Sequence, residues 1–109
     1  MLETYPIESI ITATTTAEVT LVAAAAGNEL KVTYIDDLIA SNESATATRL
    51  TLKDGAGGTV KFAQWIGANT CIPFRLSRPI RFSPATTVIA QLSAAANVNI
   101  HARGRRYST

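Results

Sequence analysis

From Asn97 to Arg103 the chain alternates with a period of two. Val98, Ile100 and Ala102 fall on one side; Asn97, Asn99, His101 and Arg103 fall on the other. That period places successive side chains on opposite faces of a strand, whereas a helix repeats near 3.6. The same rhythm recurs upstream. Thr48, Leu50 and Leu52 oppose Arg49, Thr51 and Lys53; Val60 and Phe62 oppose Lys61 and Ala63. Val88, Ala90, Leu92 and Ala94 oppose Thr87, Ile89, Gln91 and Ser93, and Leu30, Val32 and Tyr34 oppose Lys31, Thr33 and Ile35. Strands of this kind build sheets wetted on one side, and their apolar sides must be stacked on each other.

The breaks between the runs carry turn chemistry. Asp54-Gly55-Ala56-Gly57-Gly58 separates two alternating runs and reads as a hairpin loop, because glycine supplies the positive φ of such turns. Gly27-Asn28 and Ala96-Asn97 play a similar part. Pro73, Pro79 and Pro84 cannot donate to a ladder, which assigns them to strand ends, edges or bulges. The punctuation implies an all-β chain: a single antiparallel β-sandwich, jelly-roll-like, of about seven to nine short strands. With 109 residues, 47% apolar and 17% charged, the whole chain, 1–109, makes one folded domain. Two segments are expected to stand outside the sandwich: a proline-broken N-terminal arm over about 1–7 and a basic tail over about 103–109. Residues 16–26 admit two readings. Thr15-Thr16-Ala17-Glu18 fits a helix capping box and Ala26-Gly27 a helix end, while β-branched Thr20 and Val22 and local alternation favour a strand followed by a turn.

No constellation suited to catalysis emerges. His101 is the only histidine and lies on the polar side of its strand, where solvent or an interface accounts for it. Cys71, the single cysteine, precedes Ile72-Pro73-Phe74 and reads as a small buried hydrophobe. One Cys and one His cannot supply a zinc site, and Asp36, Asp37 and Glu43 miss the spacing of a calcium loop. Gly55 to Gly58 lacks the Lys-Ser/Thr and the helix of a phosphate cradle and reads as a mobile hairpin tip. No enzymatic activity, cofactor or metal is expected. The acidic, proline-broken start does not read as a secretion signal, and no apolar run reaches bilayer length. Synthesis in a cytoplasm and no membrane partner are expected.

Charge is divided along the chain. Residues 1–54 hold three cations and all eight acids, a net −5; residues 55–109 hold seven cations and no acid, a net +7. Either the halves interleave in space and the charges mix, or the molecule has an acidic and a basic pole. Arg103, Arg105 and Arg106 with Tyr107 form the densest basic feature. Three arginines are few for a nucleic-acid grip, so a peg into an acidic protein groove is the preferred reading. Trp65 either points outward beside Lys61 and Ala63, as an interface anchor, or is returned to the core by a bulge. Tyr5, Trp65, Arg103, Arg105, Arg106 and Tyr107 are thus the candidate interface residues.

Thr20-Leu21-Val22-Ala23-Ala24-Ala25-Ala26-Gly27-Asn28-Glu29-Leu30-Lys31-Val32 resembles the opening of small β-sandwich proteins of tailed-bacteriophage virions, of the capsid decoration (cement) or head-fibre type. The stretch Val88 to Ile100, with Leu92-Ser93-Ala94-Ala95 inside it, is similar to their close. The resemblance spans about residues 18–103 and rests on small and apolar residues at strand spacing. It implies a non-enzymatic virion protein on the capsid surface, bound to a major capsid or other virion protein and assembled as a homotrimer. The arginine-rich end departs from the pattern. Two other classes stay open: a tail or head fibre module that binds a receptor glycan, and a small nucleic-acid-binding β-barrel.

Overall fold

The computed structural model describes residues 4–24 and 31–108, and these form strands and their connections with no helix among them. Eight strands follow in order: β1 (Thr4–Ala13), β2 (Val19–Val22), β3 (Lys31–Asn42), β4 (Thr48–Asp54), β5 (Thr59–Ile66), β6 (Thr70–Arg81), β7 (Val88–Leu92) and β8 (Val98–Ser108). They make two four-stranded sheets of order β1-β8-β3-β6 and β2-β7-β4-β5, with every pairing antiparallel. Only the β4–β5 hairpin stays within one sheet; every other connection crosses to the opposite one. This is the jelly roll, the double-sheet arrangement expected from the alternation.

Between the sheets lie Phe82, Ile35, Leu38, Leu50, Leu52, Ile66, Leu92, Val88, Val98 and Ile100, all essentially inaccessible. Each truncation of such a side chain removes transfer energy and leaves a cavity, about 2–5 kcal/mol for a leucine. The buried polar residues Asn42 and Thr48 are answered. The Asn42 amide donates to Thr46 O at 2.8 Å, and its carbonyl accepts from the Ser44 amide at 3.0 Å. Thr48 Oγ1 donates to Ala94 O at 3.0 Å and accepts from its amide at 3.1 Å.

Prolines sit where a missing N–H costs least. Pro6 lies on β1, and Pro73 and Pro79 lie on β6, the two outer strands of the first sheet. Pro84 lies in the β6–β7 connection.

Several sequence expectations are corrected. Of the arm expected over about 1–7, residues 1–3 fall outside the described residues, and Thr4 to Ile7 belongs to β1 and pairs with Tyr107 to Gly104. The basic segment is the far half of β8, flanked by β1 on one side and β3 on the other. A strand held on both sides is a central strand, so residues 103–108 are no tail. The parity over 31–35 is the reverse of the one expected: Thr33 and Ile35 are buried on the inward side and Tyr34 lies outward, with Val32 buried as well; the register shift between Ile35 and Asp37 then turns Leu38 and Ala40 inward. A second shift, between Leu52 and Lys53, puts Val60 opposite Lys53 and turns it outward, 48% exposed. Cys71 is exposed, since Ile72 and Phe74 take the inward positions of β6. Over 16–26, Val19–Val22 is strand. Thr15 accepts from the Ala17 amide at 3.3 Å in a local turn, and no helix follows among the described residues, which run to Ala24; Ala25 and Ala26 fall outside them. Gly27-Asn28 falls outside the described residues. The glycine hairpin is tied down as well: the Gly57 amide donates to the Glu18 carboxylate at 2.9 Å.

Candidate interaction surfaces

The register of the first sheet sorts its outward side chains into rows that cross all four strands. One row runs Thr12, Asn99, Ser41, Cys71 and is polar. Thr12 Oγ1 donates to Asn99 Oδ1 at 2.6 Å within it. The next runs Ile10, His101, Ile39, Pro73, with Ile10 67% and Ile39 39% exposed. The third runs Glu8, Arg103, Asp37, Arg75, so the formal charges read minus, plus, minus, plus from β1 to β6. His101 Nε2 lies 3.3 Å from Glu8 Oε1, out of line for a hydrogen bond. No ion pair joins Arg103 or Arg75 to its acidic neighbours among the described residues. A shallow depression of about 160 Å³ lies over Asp37, Ile39, Pro73, Arg75, His101 and Arg103.

A fourth row lies past the bulge: Pro6, Arg105, Tyr34, Arg81. Asp36 is the extra residue of the bulge. It receives Arg105 bidentately, Nε to Oδ2 and Nη2 to Oδ1, each at 3.1 Å. The Asp36 hydrogen bonds and charge push the Arg105 guanidinium further toward the protonated form. Arg105 also lies over the Tyr107 ring at 5.6 Å, and Tyr107 meets Tyr34 edge to face at 5.4 Å. Gly104 makes this turn of backbone possible. A Cβ there would stand 1.9 Å from Tyr34 O. Arg106 donates to Thr33 Oγ1 at 3.2 Å and to Ala23 O at 2.6 Å, and burial pulls its pKa below the ordinary arginine value.

The outer face of the second sheet carries Trp65, Arg49 and Ser93 in one line, and Ala63, Thr51 and Gln91 in the next. Trp65 is 60% exposed on the outer strand β5. The bulge that the sequence left open does exist, but it falls before Phe62 and turns Val60 outward, leaving the tryptophan outside.

The six candidate residues are therefore distributed over three faces. Arg103, Arg105 and Tyr107 share the outward side of the long sheet, Tyr5 and Arg106 pair in register on its inward side, and Trp65 lies on the other sheet. Arg105 and Arg106 are engaged within the fold, which leaves Arg103 as the one of the three with no ion pair or side-chain hydrogen bond among the described residues. Cys71 and His101 are separated by β3, about 10 Å at two strand spacings, too far for a thiol–imidazole pair. Among the described residues no group of three or more His, Cys, Asp or Glu comes together, and no helix is long and apolar enough to cross a membrane. Sequence reasoning missed Glu8, Ile10, Asp37, Ile39 and Arg75 as members of one surface. Parity alone marks Asp37, Ile39 and Arg75 as sharing a strand face with their neighbours; only strand order brings them beside Glu8 and Ile10.

No protein-family model and no curated protein matches the sequence. Solved structures do resemble it in shape. A Bacillus endospore appendage, described as one of a family of disulfide-linked pili, superposes with a TM-score of 0.56 at 14% identity, over 98% of this chain and 88% of that one. A chain of the infectious bursal disease virus Gt strain gives 0.40 at 17% identity, over 98% of this chain and 31% of that one. The D431N VP2 protein of the same virus, in T=1 particles, gives 0.36 at 17% identity over 98% and 31%. The first likeness is one of fold.

Proposed function

We propose that this chain is a non-enzymatic structural subunit of a virion: a capsid decoration protein of a tailed bacteriophage that binds the assembled head and reinforces it. Trp65 carries the reading. The bulkiest apolar side chain of the protein is 60% exposed on a strand with an open edge, and such a residue gains most when a partner covers it. In this reading β5 and Trp65 face the major capsid protein, the copies associate as trimers, and the protein resides on the capsid surface after synthesis in the host cytoplasm. A jelly roll shared in shape with an appendage subunit supports a building-block role. The disulfide linkage of that appendage does not carry over, because one cysteine closes one bridge and yields pairs, not a polymer.

Co-sedimentation of the purified protein with expanded heads lacking decoration tests the proposal. Binding should saturate at a fixed ratio to the capsid protein. Trp65→Ala should weaken it by about 30-fold or more, while changing the melting temperature little. Failure of the folded wild-type protein to sediment with heads would remove the decoration role, and a monomer at every concentration in light scattering would remove the trimer.

A further inference from the structure

We infer that the outer face of the β1-β8-β3-β6 sheet is a self-complementary surface that takes a second copy of this chain, sheet against sheet, about a two-fold axis parallel to the strands and passing between β8 and β3. The inference stands apart from capsid binding, since it concerns only two copies of the chain.

The charge order carries it. A face-to-face contact between identical sheets requires a two-fold axis lying in the plane between them. If that axis runs along the strands, each row meets its own reversed copy. The row Glu8, Arg103, Asp37, Arg75 then faces Arg75, Asp37, Arg103, Glu8, and every charge meets its opposite. If the axis instead ran across the strands along this row, every charge would meet its like, which disfavours that arrangement. The remaining rows obey the same operator. Ile10 meets Pro73 of the second copy, and Ile39 meets His101, which covers the two exposed isoleucines. Past the bulge Arg105 meets Tyr34, a cation over an aromatic ring, and Arg81 meets Pro6. Thr12 meets Cys71 and Asn99 meets Ser41. No like charges face each other directly in any row.

Size sets the strength. Four strands at about 4.8 Å and four rows at about 6.8 Å give a patch of about 500 Å² per copy, or about 1,000 Å² for the pair, interrupted at its β6 corner by the extra residues between Arg75 and Ile80. That is at the low end of specific interfaces. The contact is therefore weak between free molecules and is consolidated where copies are concentrated by assembly.

A charge exchange between the outer strands tests this. Within one chain Glu8 and Arg75 are three strand spacings apart, about 14 Å, and cannot pair; across the proposed contact they pair twice. Sedimentation equilibrium should show concentration-dependent association of the wild-type protein. Glu8→Arg alone and Arg75→Glu alone should each weaken it about tenfold or more. The double variant E8R/R75E should recover association, and circular dichroism should report a folded sandwich in all three. Where the starting species is a pair of trimers, each single reversal should return it to trimers. Ile10→Glu should abolish association by placing a carboxylate against Pro73 of the second copy, at a position exposed enough to leave the fold intact. Association that ignores both reversals, or a double variant that stays dissociated while folded, would overturn the inference. So would a wild-type protein with no concentration-dependent association in the millimolar range.

Discussion

At the scale of single residues, one close backbone approach decides the shape of the long sheet's far end. Gly104 faces the β3 bulge with no room for a side chain: an added Cβ would lie 1.9 Å from a backbone carbonyl oxygen. Main chain on both sides cannot yield as a flexible side chain would. Gly104→Ala should therefore lie in the upper range of single-substitution effects, about 4 kcal/mol or more, read as a loss of urea midpoint or as failure to fold. Two carboxylates act differently. Burial opposes ionisation of Asp54, but the Ser83 hydroxyl and amide, aided by Lys61 and Arg81, outweigh it and hold its pKa below the ordinary value. Glu18 is lowered by the Gly57 amide and then by Lys53 at 3.1 Å. A carboxylate with a depressed folded pKa contributes stability that is fully present above its unfolded pKa of about 4 and is lost as pH falls through the folded value. The urea midpoint should decline below about pH 4, and Asp54→Asn should make that acid limb shallower. Cys71, exposed on β6, should be labelled by a thiol reagent in the dilute, unassociated folded protein nearly as fast as in the urea-unfolded chain; protection by more than about tenfold would contradict its position.

At the scale of elements, the decisive strand is β8. Read from sequence, its last residues are an arginine-rich end, because the alternation that marks a strand stops at Arg103 and polar residues follow. The structure continues the strand to Ser108, since the pairing that holds it comes from β1 and β3 and is non-local. A basic, poorly alternating segment can be a central strand when its charges have partners, as Arg105 has in Asp36 and Arg106 in Thr33 and Ala23. Removing residues 104–109 should consequently destabilise the whole domain. It strips ladder bonds from two strands and leaves the Asp36 carboxylate unpaired beside the bulge, a loss of several kcal/mol in denaturant titration. A truncation that melts like the full chain would restore the tail reading. The bulges explain the other misplacements. Alternation identified each strand, but one extra residue in β3 and one beside Val60 reversed the parity downstream, and no local residue pattern announces either.

At the scale of the whole molecule, the jelly roll determines what the divided charge means. The acid-rich first half supplies β1 and β3, the acid-free second half supplies β8 and β6, and the sheet order interleaves them as β1-β8-β3-β6. The two halves thus mix in space, and the sequence asymmetry becomes a lateral alternation of sign instead of two poles. Class and layer number were legible from periodicity and turns, whereas this surface was not, because it exists only once strands far apart in sequence lie side by side. The same topology brings the chain's extremities together: Thr4 pairs with Tyr107. Antiparallel neighbours can be joined by a short loop, so linking residue 109 to residue 1 through a few glycines and reopening the chain between the exposed Pro84 and Ala85 of the β6–β7 connection should preserve the fold and leave the β4–β5 hairpin intact. The rearranged chain turns the β1–β8 pairing, which spans almost the whole sequence, into a local hairpin. Since folding slows as contacts become less local, stopped-flow refolding of the permutant should be faster than that of the parent. Its unfolding should be faster as well, because the cut frees the turn held by the hydrogen bond from Thr86 Oγ1 to Pro84 O. Equal refolding rates in the two proteins would mean that β1 docks onto β8 only after the rate-limiting step, with nucleation resting on β4, β5 and β7.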